Sequence, residues 1–146
     1  MIQLSVHFSL EEATASSTAT RLSIPNLPSE GQRLNMIEAA HYLEQIRDML
    51  GAPIYVDSWL RVPALNTAIG GAAKSAHMDG WAIDFTCPAF GTPQEVVRRI
   101  QDSGLAFDQC IQEGTWVHIS FAPEMRQQVL TARFTAGKPT TYSMGV

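Results

Sequence analysis

Apolar and polar residues alternate at the start of the chain. Ile2, Leu4, Val6 and Phe8 stand against Gln3, Ser5 and His7, which predicts a short half-buried extended segment over residues 2–8. Ser9-Leu10-Glu11-Glu12 has the form of a capping box and predicts a short helix. Residues 23–33, with Pro25, Asn26, Pro28 and Gly31, read as a loop. The clearest helix follows at 34–50, where Leu34, Ile37, Leu43, Ile46 and Leu50 recur at helical spacing and Gly51 supplies a stop. His41 in that helix is expected at the surface or with its hydrogen bonds satisfied.

Ile54-Tyr55-Val56 is a β-like run, and Pro63 to Ile69 suits a short helix ended by Gly70-Gly71. Trp81 to Thr86 predicts a strand with Trp81, Ile83 and Phe85 on one face and Ala82, Asp84 and Thr86 on the other. Thr92-Pro93-Gln94-Glu95 opens a helix with cap, proline and glutamate in place. Val96, Val97 and Ile100 form its buried stripe, and Gly104 ends it. Residues 115–121 alternate again, with Val117, Ile119 and Phe121 toward the core and Trp116, His118 and Ser120 away from it. Pro123-Glu124 predicts a last helix to about Leu130, and the polar tail after Gly137 is expected to be loosely held. No internal repeat or second domain is visible, so residues 1–146 are read as one α+β domain.

Composition narrows the function. Hydrophobic residues make up 45% of the 146, enough for a packed core. The net charge of -4 and the lack of a basic stripe argue against nucleic acid as a partner. No apolar run reaches the roughly 18 residues of a membrane span, and the N-terminus does not have the form of a signal peptide, so synthesis in a cytoplasm is expected. Cys87 and Cys110 are too few for a disulfide framework and are expected as small buried hydrophobes.

The chemistry concentrates in Ser75-Ala76-His77-Met78-Asp79-Gly80-Trp81-Ala82-Ile83-Asp84 and in Trp116-Val117-His118. Two imidazoles and a carboxylate are the ligand set of a catalytic zinc, with a fourth position left for water. Asp84 and His118 each lie on the strand face not given to the core, and a turn at Asp79-Gly80 folds His77 back toward Asp84.

Ser75-x-His77-x-x-Gly80-x-Ala82-x-Asp84 with Trp116-x-His118 resembles the signature of the zinc D-alanyl-D-alanine carboxypeptidases. That family includes phage endolysins cutting L-alanyl-D-glutamate bonds and shares its fold with the hedgehog signalling domain. Phe8-Ser9-Leu10-Glu11-Glu12 resembles the opening of the compact phage-type branch. Arg47-x-x-Leu50-Gly51-x-Pro53-Ile54 resembles the passage before the family's arginine motif, and Ser58-Trp59-Leu60-Arg61 with Leu65-Asn66 and Gly70-Gly71 resembles that motif itself. Asp108-Gln109-x-Ile111-x-Glu113 resembles the run into the last ligand.

The resemblance implies an antiparallel sheet carrying the zinc ligands with helices packed around it. It implies one zinc per chain on His77, Asp84 and His118. Arg61 would then stabilise the developing oxyanion or hold a substrate carboxylate, and Ser75 would orient His77 or a substrate group. The family places a glutamate three residues before the last histidine, where this chain has Thr115, or a histidine two before, where it has Trp116. Glu113 is the nearest upstream carboxylate and the expected general base, with Asp79 as the fallback. Along one flat strand residues 113 and 118 face opposite sides, so Glu113 needs a turn, which Gly114 can supply.

The implied function is hydrolysis of peptidoglycan stem peptides by a monomer of phage or prophage type, most directly as a D-alanyl-D-alanine carboxypeptidase. It would act on the bacterial cell wall after release during lysis. The alternatives are an endopeptidase of the same fold and a non-catalytic, zinc-stabilised module that binds cell wall or a phage structural protein.

Overall fold

Hydroxyl caps set where most of the helices begin. The computed structural model describes residues 1–146. Ser9 caps α1 (Leu10–Thr14), Ser16 caps α2 (Ser17–Arg21), Ser29 caps α3 (Glu30–Leu50) and Thr92 caps α5 (Pro93–Ser103), each accepting a backbone N–H in the first turn. Helix α4 (Pro63–Ala68) starts on its proline without a side-chain cap. The long helix therefore begins earlier than its apolar spacing suggests, because Ser29 and Gln32 complete a capping box inside the stretch read as loop. Its buried face is Met36, Ala39, Ala40, Leu43, Ile46 and Leu50, whereas Leu34 and Ile37 are exposed. Helix α2 was not expected from the sequence.

The N-terminal segment forms only a bridge between Gln3 and Ser9. Leu4 and Ser5 both donate their N–H to the Phe8 carbonyl, which curls the chain. Leu4 and Phe8 are buried, while Ile2 and Val6 are exposed.

Six strands form one sheet in the order β1-β2-β4-β3-β5-β6. They are β1 (Tyr55–Ser58), β2 (Ala82–Thr86), β3 (Gln109–Gln112), β4 (Val117–Ser120), β5 (Gln128–Arg133) and β6 (Thr141–Met144). Every neighbouring pair is antiparallel except β3 and β5, which run parallel. The predicted face assignment of β2 and β4 holds, with Ile83, Phe85, Val117 and Ile119 fully buried in the core that α3 and α5 cover. Cys87 and Cys110 are buried and unpaired, as expected.

The C-terminal reading needs correction. Residues 123–130 do not form a helix, and the tail after Gly137 is not loose. Ala122 is a poor cap for a helix starting at Pro123. Met125 and Gln127 take left-handed conformations, with φ 43° and 54°, that no α-helix accommodates. Strand β5 then pairs with β3 and buries Val129 and Ala132. The tail returns as β6 along β5, and the Gly145 N–H donates to the Val129 carbonyl.

Two predictions follow from this packing. Gly80 has φ 83°, and an added Cβ would lie 2.6 Å from Met36 Cγ and 3.0 Å from the Gln32 carbonyl. Gly80→Ala should cost about 2–4 kcal/mol in denaturant unfolding, combining left-handed strain with overpacking; a loss under about 1 kcal/mol would contradict the close approach. Buried Asp108 is held below the ordinary carboxylate range by hydrogen bonds from Arg126, against the opposing effect of burial. A depressed carboxyl contributes stability that is present above its unfolded value, near pH ~3.9, and is lost as pH falls through its folded value. Asp108→Asn should therefore flatten acid unfolding below about pH 4 and cost roughly 1–3 kcal/mol at pH 7, as read by thermal melts across pH.

Candidate metal and catalytic site

His77, Asp84 and His118 come together as the sequence motif predicts. Their nearest ligand atoms all lie within 4.8 Å of one another. Asp84 and His118 are directly opposed across β2 and β4. Asp84 Oδ1 stands 2.9 Å from His118 Nδ1 and 3.3 Å from His77 Nε2. His77 sits in a 3-10 turn, Ala76–Asp79, capped by Ser75, whose hydroxyl accepts the His77 N–H; Gly80 closes the turn in a left-handed conformation.

Trp59 ties that turn down. The His77 Nδ1–H donates to the Trp59 carbonyl at 2.7 Å, and the Trp59 indole N–H donates to the Gly80 carbonyl at 2.9 Å. The Arg61 N–H adds a bond to the His77 carbonyl at 3.1 Å. A carbonyl can only accept, so it fixes the His77 tautomer: the proton is on Nδ1, and in the neutral ring Nε2 carries a lone pair. Burial pushes His77 toward that neutral form, against the opposing pull of Asp84. A buried lone pair then faces a carboxylate oxygen at 3.3 Å, an arrangement that is repulsive unless a proton or a metal ion lies between them. Burial alone would raise the Asp84 carboxyl, but His118 and His77 outweigh it and keep Asp84 ionised well below the usual range. Two nitrogens and an anionic oxygen, one histidine already oriented by a carbonyl behind it, suit a zinc-type ion.

The remaining predicted residues join the same cavity, about 330 Å³ in volume and lined by Arg61, Ser75 and Glu113 besides the donor set. Arg61 Nη2 donates to Asp84 Oδ2 at 3.0 Å, and its Nε donates to Ser58 at 3.2 Å. Glu113 reaches the site through the turn that its spacing from His118 requires. Residue 113 directly follows β3 and residue 118 lies in β4, on the two arms of a hairpin. Ile111 opposes His118, and the Glu113 N–H donates to the Trp116 carbonyl, so Glu113 and His118 share a face. Gly114, at φ 83°, makes the turn as anticipated. Burial raises the Glu113 carboxyl, partly offset by His118. The fallback base, Asp79, is exposed and outside the cavity lining.

Trp59, Arg126 and Tyr142 were not predicted as site residues. The Trp59 carbonyl acts through the backbone, which leaves no mark on residue choice. Arg126 and Tyr142 lie in the segment misread as helix and tail, and both line the cavity.

The sequence profile of the peptidase M15 family matches residues 6–120, most of the chain, and the chain belongs to that family. Membership makes it a zinc-dependent metallopeptidase of a family that acts on peptidoglycan. No curated protein matches the chain.

The geometry predicts one zinc per chain. His77→Ala and His118→Ala should each lose zinc on mild chelator washing, read by elemental analysis, while wild type retains it. Zinc should also raise the melting temperature of wild type and not of either variant, because a ligand that binds only the folded state stabilises it.

Proposed function

We propose that this peptidase hydrolyses peptidoglycan stem peptides, with His77, Asp84 and His118 holding the zinc and Glu113 serving as general base. The observation that carries the reading is the His77 lone pair, fixed by Trp59 against the Asp84 carboxylate, in one cavity with Glu113. Zinc at this position would supply an acidified water and a polarised carbonyl. Glu113 takes the proton of the attacking water and returns it to the leaving amine. Its buried setting suits the first step, since a raised carboxyl takes up a proton more readily than an exposed one, and the leaving amine is a stronger base to which that proton can pass. Arg61 holds Asp84 Oδ2, leaving Oδ1 to the metal, and its positive charge favours negative charge growing on the scissile carbonyl oxygen. Ser75 supports His77 through the cap of its turn.

The most direct activity is release of terminal D-alanine as a D-alanyl-D-alanine carboxypeptidase acting at the bacterial cell wall. A second reading, an endopeptidase of the same class, is favoured by one observation: Arg61 is anchored on Asp84, a task that needs no terminal carboxylate in the substrate. Digesting purified peptidoglycan with the zinc-loaded protein separates the two. Free alanine in the product masses supports the carboxypeptidase and larger peptide fragments the endopeptidase; an unchanged digest is the result expected of a pure binding module.

Glu113→Gln should keep its zinc and its melting temperature and lose about 10²–10⁴-fold in turnover. Near-normal turnover in that variant would remove Glu113 from the mechanism.

A further inference from the structure

The cleft contains a second guanidinium, in a part of the chain beyond the family match. Arg126 borders the cavity that holds His77, Asp84, Glu113 and His118, and it also borders a neighbouring cavity of about 360 Å³. The residues on both sides of it, Met125 and Gln127, have φ 43° and 54°. Such left-handed conformations are unfavourable for residues with side chains and persist where surrounding contacts impose them. Those contacts are visible. Gln127 Oε1 accepts the Phe107 N–H at 2.6 Å, Gln127 Nε2 donates to the Leu105 carbonyl at 3.0 Å, and the Gln128 N–H donates to the Asp108 carbonyl at 3.0 Å.

Within this frame buried Asp108 accepts three bonds from Arg126, from its backbone N–H at 3.0 Å and from Nε and Nη2 at 2.9 Å each. One edge of the guanidinium is thereby fixed. Of its five N–H donors two are used, and the other three have no acceptor on the protein. The Arg126 side chain remains 54% exposed. A staple between β3 and β5 would need only the backbone and Gln127 bonds; it would not need a rigid fork with free donors at the edge of a catalytic cavity.

Charge favours an anionic ligand there. The cavity's cations, Arg61, Lys74 and Arg126, are balanced by Asp84, Asp108 and Glu113. A divalent cation on the histidines therefore makes the cleft net positive within a chain of net charge -4. Arg61 is tied to Asp84, whereas the anchor of Arg126 lies outside the metal-binding set. Pairing Arg126 with a substrate leaves that set undisturbed.

We propose that Arg126 is a substrate-binding residue that pairs with a carboxylate of the peptide being cut. The inference rests on the peptidase reading. The carboxylate is either the α-carboxylate at the peptide's C-terminus or a side-chain carboxylate elsewhere in the stem, and both offer the planar acceptor pair that an arginine fork matches.

The test uses zinc-loaded protein and a stem peptide whose scissile amide is replaced by a ketomethylene group. The peptide is made as the free acid, as the C-terminal amide and as the side-chain amide, and binding is read by calorimetry. Wild type should lose tenfold or more in affinity for one of the two amides, and which one identifies the carboxylate. Arg126→Gln should bind the acid about as weakly as wild type binds that amide, with little further loss when the same group is amidated. Arg126→Lys should recover part of the affinity. Removing Arg126 leaves Asp108 buried and unpaired, so Asp108→Asn combined with Arg126→Gln serves as the folding control. It should recover melting temperature without recovering affinity.

The proposal is overturned if wild type does not distinguish acid from amide. It is equally overturned if Arg126→Gln distinguishes them as well as wild type does, or if the double variant regains wild-type affinity. Binding is read without turnover, so a wild type that shows the discrimination yet cuts no stem peptide overturns the peptidase reading and not this one.

Discussion

The hydrogen bond from His77 to the Trp59 carbonyl is the constraint on which the site depends. It sets one proton, and through that proton it makes neutral His77 present a lone pair to Asp84 where the other tautomer would donate to it. Three bonds hold the arrangement: the imidazole on Trp59, the Trp59 indole on Gly80 and the Arg61 N–H on the His77 carbonyl. Residues 59–61 and 77–80 thus form one unit, although they are far apart in sequence. A side chain behind His77 could rotate or titrate. A backbone carbonyl within such a unit does neither, which is why it is an effective way to orient a metal ligand.

The sheet supplies the rest by register. The β2–β4 ladder puts Asp84 opposite His118, and the β3–β4 ladder puts Ile111 opposite His118 with Glu113 further along the same face. A slip of one residue in either ladder would carry a ligand or the carboxylate to the core side, where Ile83, Val117 and Ile119 are packed without space. The same apolar packing that stabilises the sheet therefore keeps the polar groups converged. Burial by itself opposes the Asp84 charge, and His118 and His77 more than offset it, with Arg61 paired to the same carboxylate.

The legible parts of the sequence were those where one local rule decides. Period-two alternation placed Asp84 and His118 correctly, and the cap and stop residues of α5 marked that helix. The misreadings share a different cause. Leu34 and Ile37 fit a helical stripe, yet the buried face uses Ala39 and Ala40, together with Met36, which Gly80 approaches closely. Residues 123–130 carry a proline and an acidic residue that suit a helix start, but β3 offers an open strand edge that local propensity does not reveal. In each case a tertiary partner overrode the local pattern.

That last override also explains where Arg126 lies. Strand β4 runs antiparallel to β3, and β5 must run parallel to β3 on its other side. The chain leaving β4 at Ser120 therefore has to cross the end of β3, beside Gln109 and Asp108. This end of the sheet borders the cavity, because Asp108, Gln109 and Ser120 all line it. The crossing is short, from Phe121 to Gln127, and it is pinned at 105–108, so the backbone is forced through two left-handed residues with Arg126 between them. The family match ends at residue 120, on the last strand that carries a candidate ligand. The strands around the candidate metal and base residues lie within that match, and the crossover lies beyond it. A segment that topology drives past a catalytic cleft, and that no ligand constrains, is where such a scaffold can change its substrate without disturbing its chemistry.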